Sequence, residues 1–204
     1  MAKNKYVKQG IDISHWNRVT DFCKVKESGI DFAIIKAGGS DRGFYQDSQF
    51  NNYYRLAKLA GLEVGTYYFV GPKFYGTLSG REDAKRFCRI IRGKEFDLPV
   101  FLDLETTNKA YKELATDAAL AFCDYMAQEG YRVGIYGSDI STFKDMVQIG
   151  RLDWIDKWVA RYNKTGPQFV KDVCIWQKSS AGTVPGITGA VDLDECYVDY
   201  SKRG

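Results

Sequence analysis

Residues 79–105 read SGREDAKRFCRIIRGKEFDLPVFLDLE, and the change of rhythm inside this stretch decides the fold. In its first half Ala84, Phe87, Cys88 and Ile91 recur at helical spacing, with Ser79 as the expected cap. In its second half an apolar run from Pro99 to Leu102 ends in Asp103 and Glu105, which flank Leu104. Residues two apart on a strand share a face, about 6.6 Å apart at a rise of roughly 3.3 Å per residue. Two carboxylates so placed are costly if buried without partners. The pair therefore asks for a chemical reason.

The same alternation extends in both directions. Strands are expected at QGIDISH (9–15), DFAIIKAGG (31–39), GLEVGTYYFV (61–70), LPVFLDLE (98–105), YRVGIYG (131–137), KWVARY (157–162), DVCIWQKS (172–179) and AVDLDE (190–195). Helices are expected near 19–28, 47–60, 79–93, 112–129 and 139–149. The second carries Phe50, Tyr53, Tyr54 and Ala57 on its stripe, and the fourth Leu114, Ala118, Phe122 and Tyr125. Gly29, Gly61 and Gly130 stand just before strands, where helices end. Repeated β–α units imply a parallel sheet covered by helices. Eight such strands fit an α/β barrel, irregular because its C-terminal part is helix-poor. No linker or change of composition interrupts residues 1–204, so a single domain is expected.

Composition excludes several classes. With 45% hydrophobic and 27% charged residues the chain is ordinary globular material. No apolar run approaches the roughly 20 residues of a membrane helix. The opening MAKNKYVKQG has no apolar core of a secretory signal. A net charge of +3 with scattered Lys and Arg argues against nucleic acid and suits a mildly anionic polymer. The 14 Tyr, 12 Phe and 4 Trp supply core filling and, beyond that, flat faces for stacking on sugars. Cys23, Cys88, Cys123, Cys174 and Cys196 lack CxxC spacing and read as buried free thiols; with His15 the only histidine, no zinc site is expected.

In α/β barrels function gathers at the C-terminal ends of the strands, and the polar exceptions to these apolar strands fall there. They are Asp12, Ser14 and His15; Lys36; Tyr67 and Tyr68; Asp103 and Glu105; Tyr136; Arg161 and Tyr162; Trp176 and Gln177; Asp192 and Asp194. Singly, each has an ordinary structural role open to it. Carboxylates from the first, fourth and eighth strands converge only if the sheet closes. A carboxyl of raised pKa beside one that stays ionised is the arrangement for cleaving glycosidic bonds, and like-charge repulsion raises one pKa of a close pair. Strand spacing favours the retaining separation of about 5–5.5 Å. No GxSxG elbow or GxxxxGK[ST] loop is present. A divalent ion on Asp103, Glu105 and Asp192 is a minor alternative.

At these residues the chain resembles the muramidases of glycoside hydrolase family 25, which include Chalaropsis-type lysozymes and phage endolysins. GIDISHW, FAIIKAGG, AGLEVGTYYF, LPVFLDLE, VGIYGS, KWVARY and CIWQKSSAGTVPGITGAVDLDE occur in family order over about residues 10–197. The resemblance implies a flattened, TIM-like barrel that cleaves the β-1,4 bond between N-acetylmuramic acid and N-acetylglucosamine. It makes Glu105 the general acid/base and Asp103 the group that positions the substrate's own acetamido nucleophile. Asp12 and Asp192 become supporting acids. Asp194 is the offset alternative, at a position usually Asn. Tyr67, Tyr136, Trp176 and Gln177 become groove residues, with Lys36 and Tyr162 also expected to contact substrate. Two departures stand out: KAGGS replaces a frequent KATEG, and Tyr67-Tyr68-Phe69 replaces YHF.

The resemblance implies bacterial peptidoglycan as partner, no cofactor or metal, no membrane insertion and a monomer. Synthesis in the cytoplasm with holin-dependent release, or another export route, fits the absent signal. The competing expectation is a catalytically weak barrel that recognises cell-wall glycan.

Overall fold

The computed structural model describes residues 7–202. Most of the N-terminal stretch bearing the signal-peptide expectation lies outside them. Eight strands form the barrel: β1 (Lys8–Ile13), β2 (Phe32–Gly39), β3 (Glu63–Phe69), β4 (Val100–Asp103), β5 (Val133–Ser138), β6 (Asp156–Ala160), β7 (Val173–Gly182) and β8 (Val191–Cys196), and the two residues Tyr45–Gln46 add a short antiparallel edge to the end of β2. Each pairs with the next in sequence, and β8 pairs back with β1. The sheet is a closed barrel, as the alternation predicts.

One strand breaks the expected all-parallel pattern. β1 to β7 run parallel, but β8 is antiparallel to both β7 and β1. The cause is local. A parallel return needs a crossover of a dozen or more residues, usually a helix, and only residues 183–190 separate β7 from β8. The reversal puts the start of β8 on the rim formed by the ends of the other strands. Asp192 is thereby paired with Asp12.

Four helices cover the outside between the first five strands: α1 (Phe22–Glu27), α2 (Phe50–Leu59), α3 (Gly76–Ile91) and α4 (Lys112–Gln128). The expected helix at 139–149 is one π-helical turn over Ser141–Met146. Beyond it the strands are joined mainly by loops. Gly29, Gly61 and Gly130 adopt φ of +93°, +76° and +89°, the left-handed conformation that ends a helix cheaply only at glycine.

Two helical expectations need correction. α3 starts at Gly76, so Ser79 lies inside its first turn and donates to the Lys73 carbonyl instead of capping. On α4 Leu114 is exposed and Tyr125 only half-buried. The buried face is Ala115, Ala118, Ala119, Phe122, Cys123 and Met126. The reason is close approach: a Cβ on Gly80 of α3 would fall 2.0 Å from the Ala118 carbonyl oxygen, so α4 turns its small residues inward.

The core has two parts. One lies between barrel and helices and includes the α3 stripe of Ala84, Phe87, Cys88 and Ile91. The other fills the lumen with Phe32, Ile34, Leu98, Phe101, Trp158 and Ile175. The phenyl ring of Phe101 is why the facing residue is Gly134, where a Cβ would sit 2.3 Å from it. All five thiols are free; Cys23 is exposed, contrary to the expectation, and the other four are buried. Among the described residues no helix is long and apolar enough to cross a membrane.

Candidate active site

β4 ends at Asp103, whose carboxyl is buried, while Glu105 emerges at the rim and keeps contact with solvent. The two carboxyls are in hydrogen-bond contact, a contact that raises Asp103 and lowers Glu105. Burial is the largest cause lifting Asp103 well above the usual carboxylate range, with the Glu105 charge second. Glu105 is also raised, chiefly by desolvation, and drawn back by the Asp103 hydrogen bond. Sequence reasoning foresaw one raised acid through like-charge repulsion. The structure raises both, mainly by burial, and the deeper Asp103 is raised the further.

A cation faces this pair. Lys36 of β2 holds its Nζ 4.6 Å from the Phe69 ring centroid and 5.8 Å from that of Tyr67. Its charge lowers both Asp103 and Glu105. The aromatic faces suit a cation in this position.

On the opposite side of the lumen a network is built around Gln177. Its Nε2 donates to Asp12 Oδ2 at 2.7 Å, and its Oε1 accepts from Tyr136 at 2.8 Å and from Tyr162 at 2.7 Å. Asp12 is pushed well above its ordinary range by burial and by the charges of Asp194 and Asp192. Asp194 is fully buried; Trp158 Nε1 donates to its Oδ1 at 2.8 Å. Burial moves its pKa up to about 7. Asp192 is half-buried and raised more mildly, also by burial.

Tyr67 and Tyr136 tie the two sides together. Burial raises both phenols, and both feel the charges of Asp12 and Asp103. Tyr162 is exposed at the edge and feels Asp192, Asp12 and Glu105. The structure thus brings Asp12, Asp103, Glu105, Asp192, Tyr67, Tyr136, Gln177, Lys36 and Tyr162 to one end of the barrel.

Trp176 is placed differently. It precedes the inward-facing Gln177, so alternation turns it outward, and its Nε1 donates to the Arg161 carbonyl at 2.8 Å. It braces the loop that carries Tyr162. The same alternation settles the YHF departure: Tyr68 faces α3, where its hydroxyl donates to Asp83, so the change lies outside the groove. In the KAGGS departure, a Cβ on Gly39 would meet the Phe69 carbonyl oxygen at 2.6 Å, leaving no room for an acid. Asp41, two residues on, acts on Asp103 with its charge instead.

Sequence reasoning missed three supports. Trp158 forms the floor, its ring centroid 4.3 Å from Tyr136 and 5.2 Å from Phe101; its inward parity with Ala160 was the available signal. Asp47 is buried and takes His15 Nδ1 at 2.6 Å beside the exposed Trp16. Asp139 is fully buried and accepts backbone N–H groups of Gln168, Phe169 and Val170, which fixes the loop after β6 and lowers its pKa. Among the described residues no cluster of three His, Cys, Asp or Glu side chains is arranged to hold a metal ion. The arrangement can hold, share and pass protons between carboxyl groups next to aromatic faces.

Comparison with known proteins agrees with this geometry. A family model described as glycosyl hydrolases family 25 matches residues 11–187. An autolytic lysozyme of Clostridium acetobutylicum is 30% identical over 187 residues, which cover 92% of this chain and 55% of that protein. The chain therefore spans about half the length of that relative. Among solved structures, the CTP1L endolysin superposes with a TM-score of 0.84 at 26% identity, over 96% of this chain and 68% of that one. The bacterial lysozyme from Streptomyces coelicolor gives 0.79 at 25% identity, over 97% and 95%.

Proposed function

The chain belongs to the glycosyl hydrolases of family 25, and from that premise we propose that it is a lysozyme acting on bacterial peptidoglycan. Its barrel hydrolyses the β-1,4 bond between N-acetylmuramic acid and N-acetylglucosamine. The observation that carries this reading is the hydrogen-bonded Asp103–Glu105 pair, set among Asp12, Asp192, Tyr67 and Tyr136 at one rim of the barrel.

Glu105 is the general acid/base. Saccharide filling the rim displaces water from Glu105, raises its pKa further, and draws a proton from Asp103. Glu105 then protonates the departing glycosidic oxygen. Asp103, left ionised, accepts a hydrogen bond from the substrate acetamido N–H, so that the acetamido oxygen attacks the anomeric carbon. Water, deprotonated by Glu105, opens the cyclic intermediate with net retention.

The closeness of the two carboxyls supports substrate assistance. An inverting pair stands roughly 6.5–9.5 Å apart, and a retaining pair with a carboxylate nucleophile about 5–5.5 Å apart. Two carboxyls in hydrogen-bond contact do not flank a sugar ring in either way. Asp12 and Asp192 hold the remaining charge and hydrogen-bond pattern, with Gln177, Lys36, Tyr67, Tyr136 and Tyr162 lining the groove.

Digestion of Gram-positive cell walls tests the reading, with mass spectrometry of the released fragments. N-acetylmuramic acid at the new reducing ends is expected. N-acetylglucosamine at those ends, or wall binding without release, contradicts it.

A further inference from the structure

Beside the acids, on the same rim, lies a cavity of about 380 Å³, within the range of small-ligand sites. Its walls are the loops that leave β2 and β3, together with the first turns of α3. The two loops interlock. Ser40 N donates to the Phe69 carbonyl at 2.9 Å, and a Cβ on Gly71 would lie 2.7 Å from Asp41 Cα. The wall is therefore preformed rather than a surface dimple.

Its lining carries both charges. Asp41 and Asp83 are its acids, Lys73 and Arg86 its bases. Asp83 is committed: it accepts from Ser40 Oγ, the Tyr68 hydroxyl and Arg86. Arg86 also sits 5.8 Å from the Phe44 ring centroid. Asp41 pairs through Oδ2 with the exposed Arg42 at 3.5 Å but keeps Oδ1 buried without a partner, and the exposed Lys73 stands on the opposite loop. A neutral sugar needs neither charge, whereas a ligand bearing both an ammonium and a carboxylate uses both.

Position narrows the ligand. Val70, which precedes the lining residue Gly71, donates its N–H to the Asp103 carbonyl at 3.1 Å, so the cavity adjoins the strand end whose carboxyl is assigned to the acetamido group on C2 of the muramyl ring. The neighbouring carbon of that ring, C3, bears the lactyl group and its peptide. We propose that the cavity receives this stem peptide, with a peptide carboxylate meeting Lys73 and Arg86 and a peptide ammonium meeting Asp41. The inference rests on the muramidase reading and adds to it a preference for peptide-bearing strands.

The test uses two substrates and two proteins. Peptide-bearing glycan strands, and the same strands stripped of peptide by an amidase, are hydrolysed by the wild type and by Lys73→Glu, a change at an exposed side chain. The wild type is expected to favour peptide-bearing strands by about threefold in kcat/KM, the scale of one partly exposed ion pair. Lys73→Glu should erase that preference through KM. Equal hydrolysis of both strands by the wild type, or a preference retained in Lys73→Glu, overturns the proposal. Titration of the free tripeptide L-Ala-D-Glu-L-Lys into both proteins, followed by calorimetry, separates this inference from the glycosidase reading. Saturable binding that weakens in Lys73→Glu is expected even if no glycan is cut. Absence of saturable binding to the wild type overturns the pocket even if hydrolysis is brisk.

Discussion

Gln177 reaches over β8 to Asp12: its Nε2 donates to Asp12 Oδ2 at 2.7 Å, although the two residues are 165 positions apart. The same amide accepts from two tyrosines, so both its nitrogen and its oxygen are engaged and its orientation is fixed. Replacing it by Leu keeps the volume but strips a buried carboxyl of its donor and two phenols of their acceptor. A stability loss of about 1–3 kcal/mol is expected, with kcat down at least about tenfold if the network also supplies about 1.4 kcal/mol to the transition state. Denaturant unfolding and wall-lysis rates measure the two effects separately. Unchanged kcat in a folded Gln177→Leu protein would show that Asp12 needs no such orientation.

Asp194 makes a prediction about pH. Its native pKa stands at about 7, against roughly 3.9 in an unfolded chain. Below about pH 4 both states hold the proton, and its stabilising share is fully present. As pH rises toward 7 the unfolded chain releases the proton and the native protein keeps it, so that share is lost. Asp194→Asn cannot ionise. The Tm of the variant minus that of the wild type should therefore grow from pH 4.5 to pH 7.5, by about 2–4 °C for each kcal/mol involved. A difference that stays flat across this range contradicts a raised Asp194.

Trp158→Phe separates the indole N–H from the ring. The ring contacts with Tyr136, Phe101 and Tyr67 are largely preserved, while Asp194 Oδ1 loses its donor. A cost of about 1–3 kcal/mol is expected from the carboxyl left unsatisfied. Combining it with Asp194→Leu, which removes the stranded acceptor, should cost less than the sum of the two single changes.

Thiol counting checks the burial pattern. Native protein should react with a bulky disulfide reagent at Cys23 alone, since the other four thiols are buried. Denatured protein should release all five. Rapid native labelling of a second thiol would mean that the packing around Cys88, Cys123, Cys174 or Cys196 is wrong.

Much of this was legible before any coordinates. The apolar runs marked all eight strands, and the acids near their ends marked the rim, because polar side chains in a barrel lumen need either the opening or an internal partner. The direction of β8 was not legible from the strand itself. It follows from the length of the β7–β8 connection, and it explains why Asp192 stands at the beginning of its strand and still reaches the rim. Ser79 misled because a good capping residue also fits the first turn of a helix that begins three residues earlier. Leu114 misled because hydrophobicity suggested a buried stripe, whereas the contact at Gly80 demanded alanine. Trp176 and Tyr68 were named with their neighbours; strict alternation applied to each strand would have turned both outward. The Gln177 network and the Asp194–Trp158 bond join residues far apart in sequence, and no local pattern announces them.

The most direct measurement is the rate of glycosidic cleavage by Glu105→Gln beside the wild type, on the same cell walls and at the same pH. Glutamine keeps the shape and can still take a hydrogen bond from Asp103, but it cannot deliver a proton to the leaving oxygen. A fall of about 10²-fold or more, with wall binding retained, is the predicted result for a general acid/base. Full activity in Glu105→Gln would contradict the assignment and send the search for the proton donor to Asp103 or Asp12.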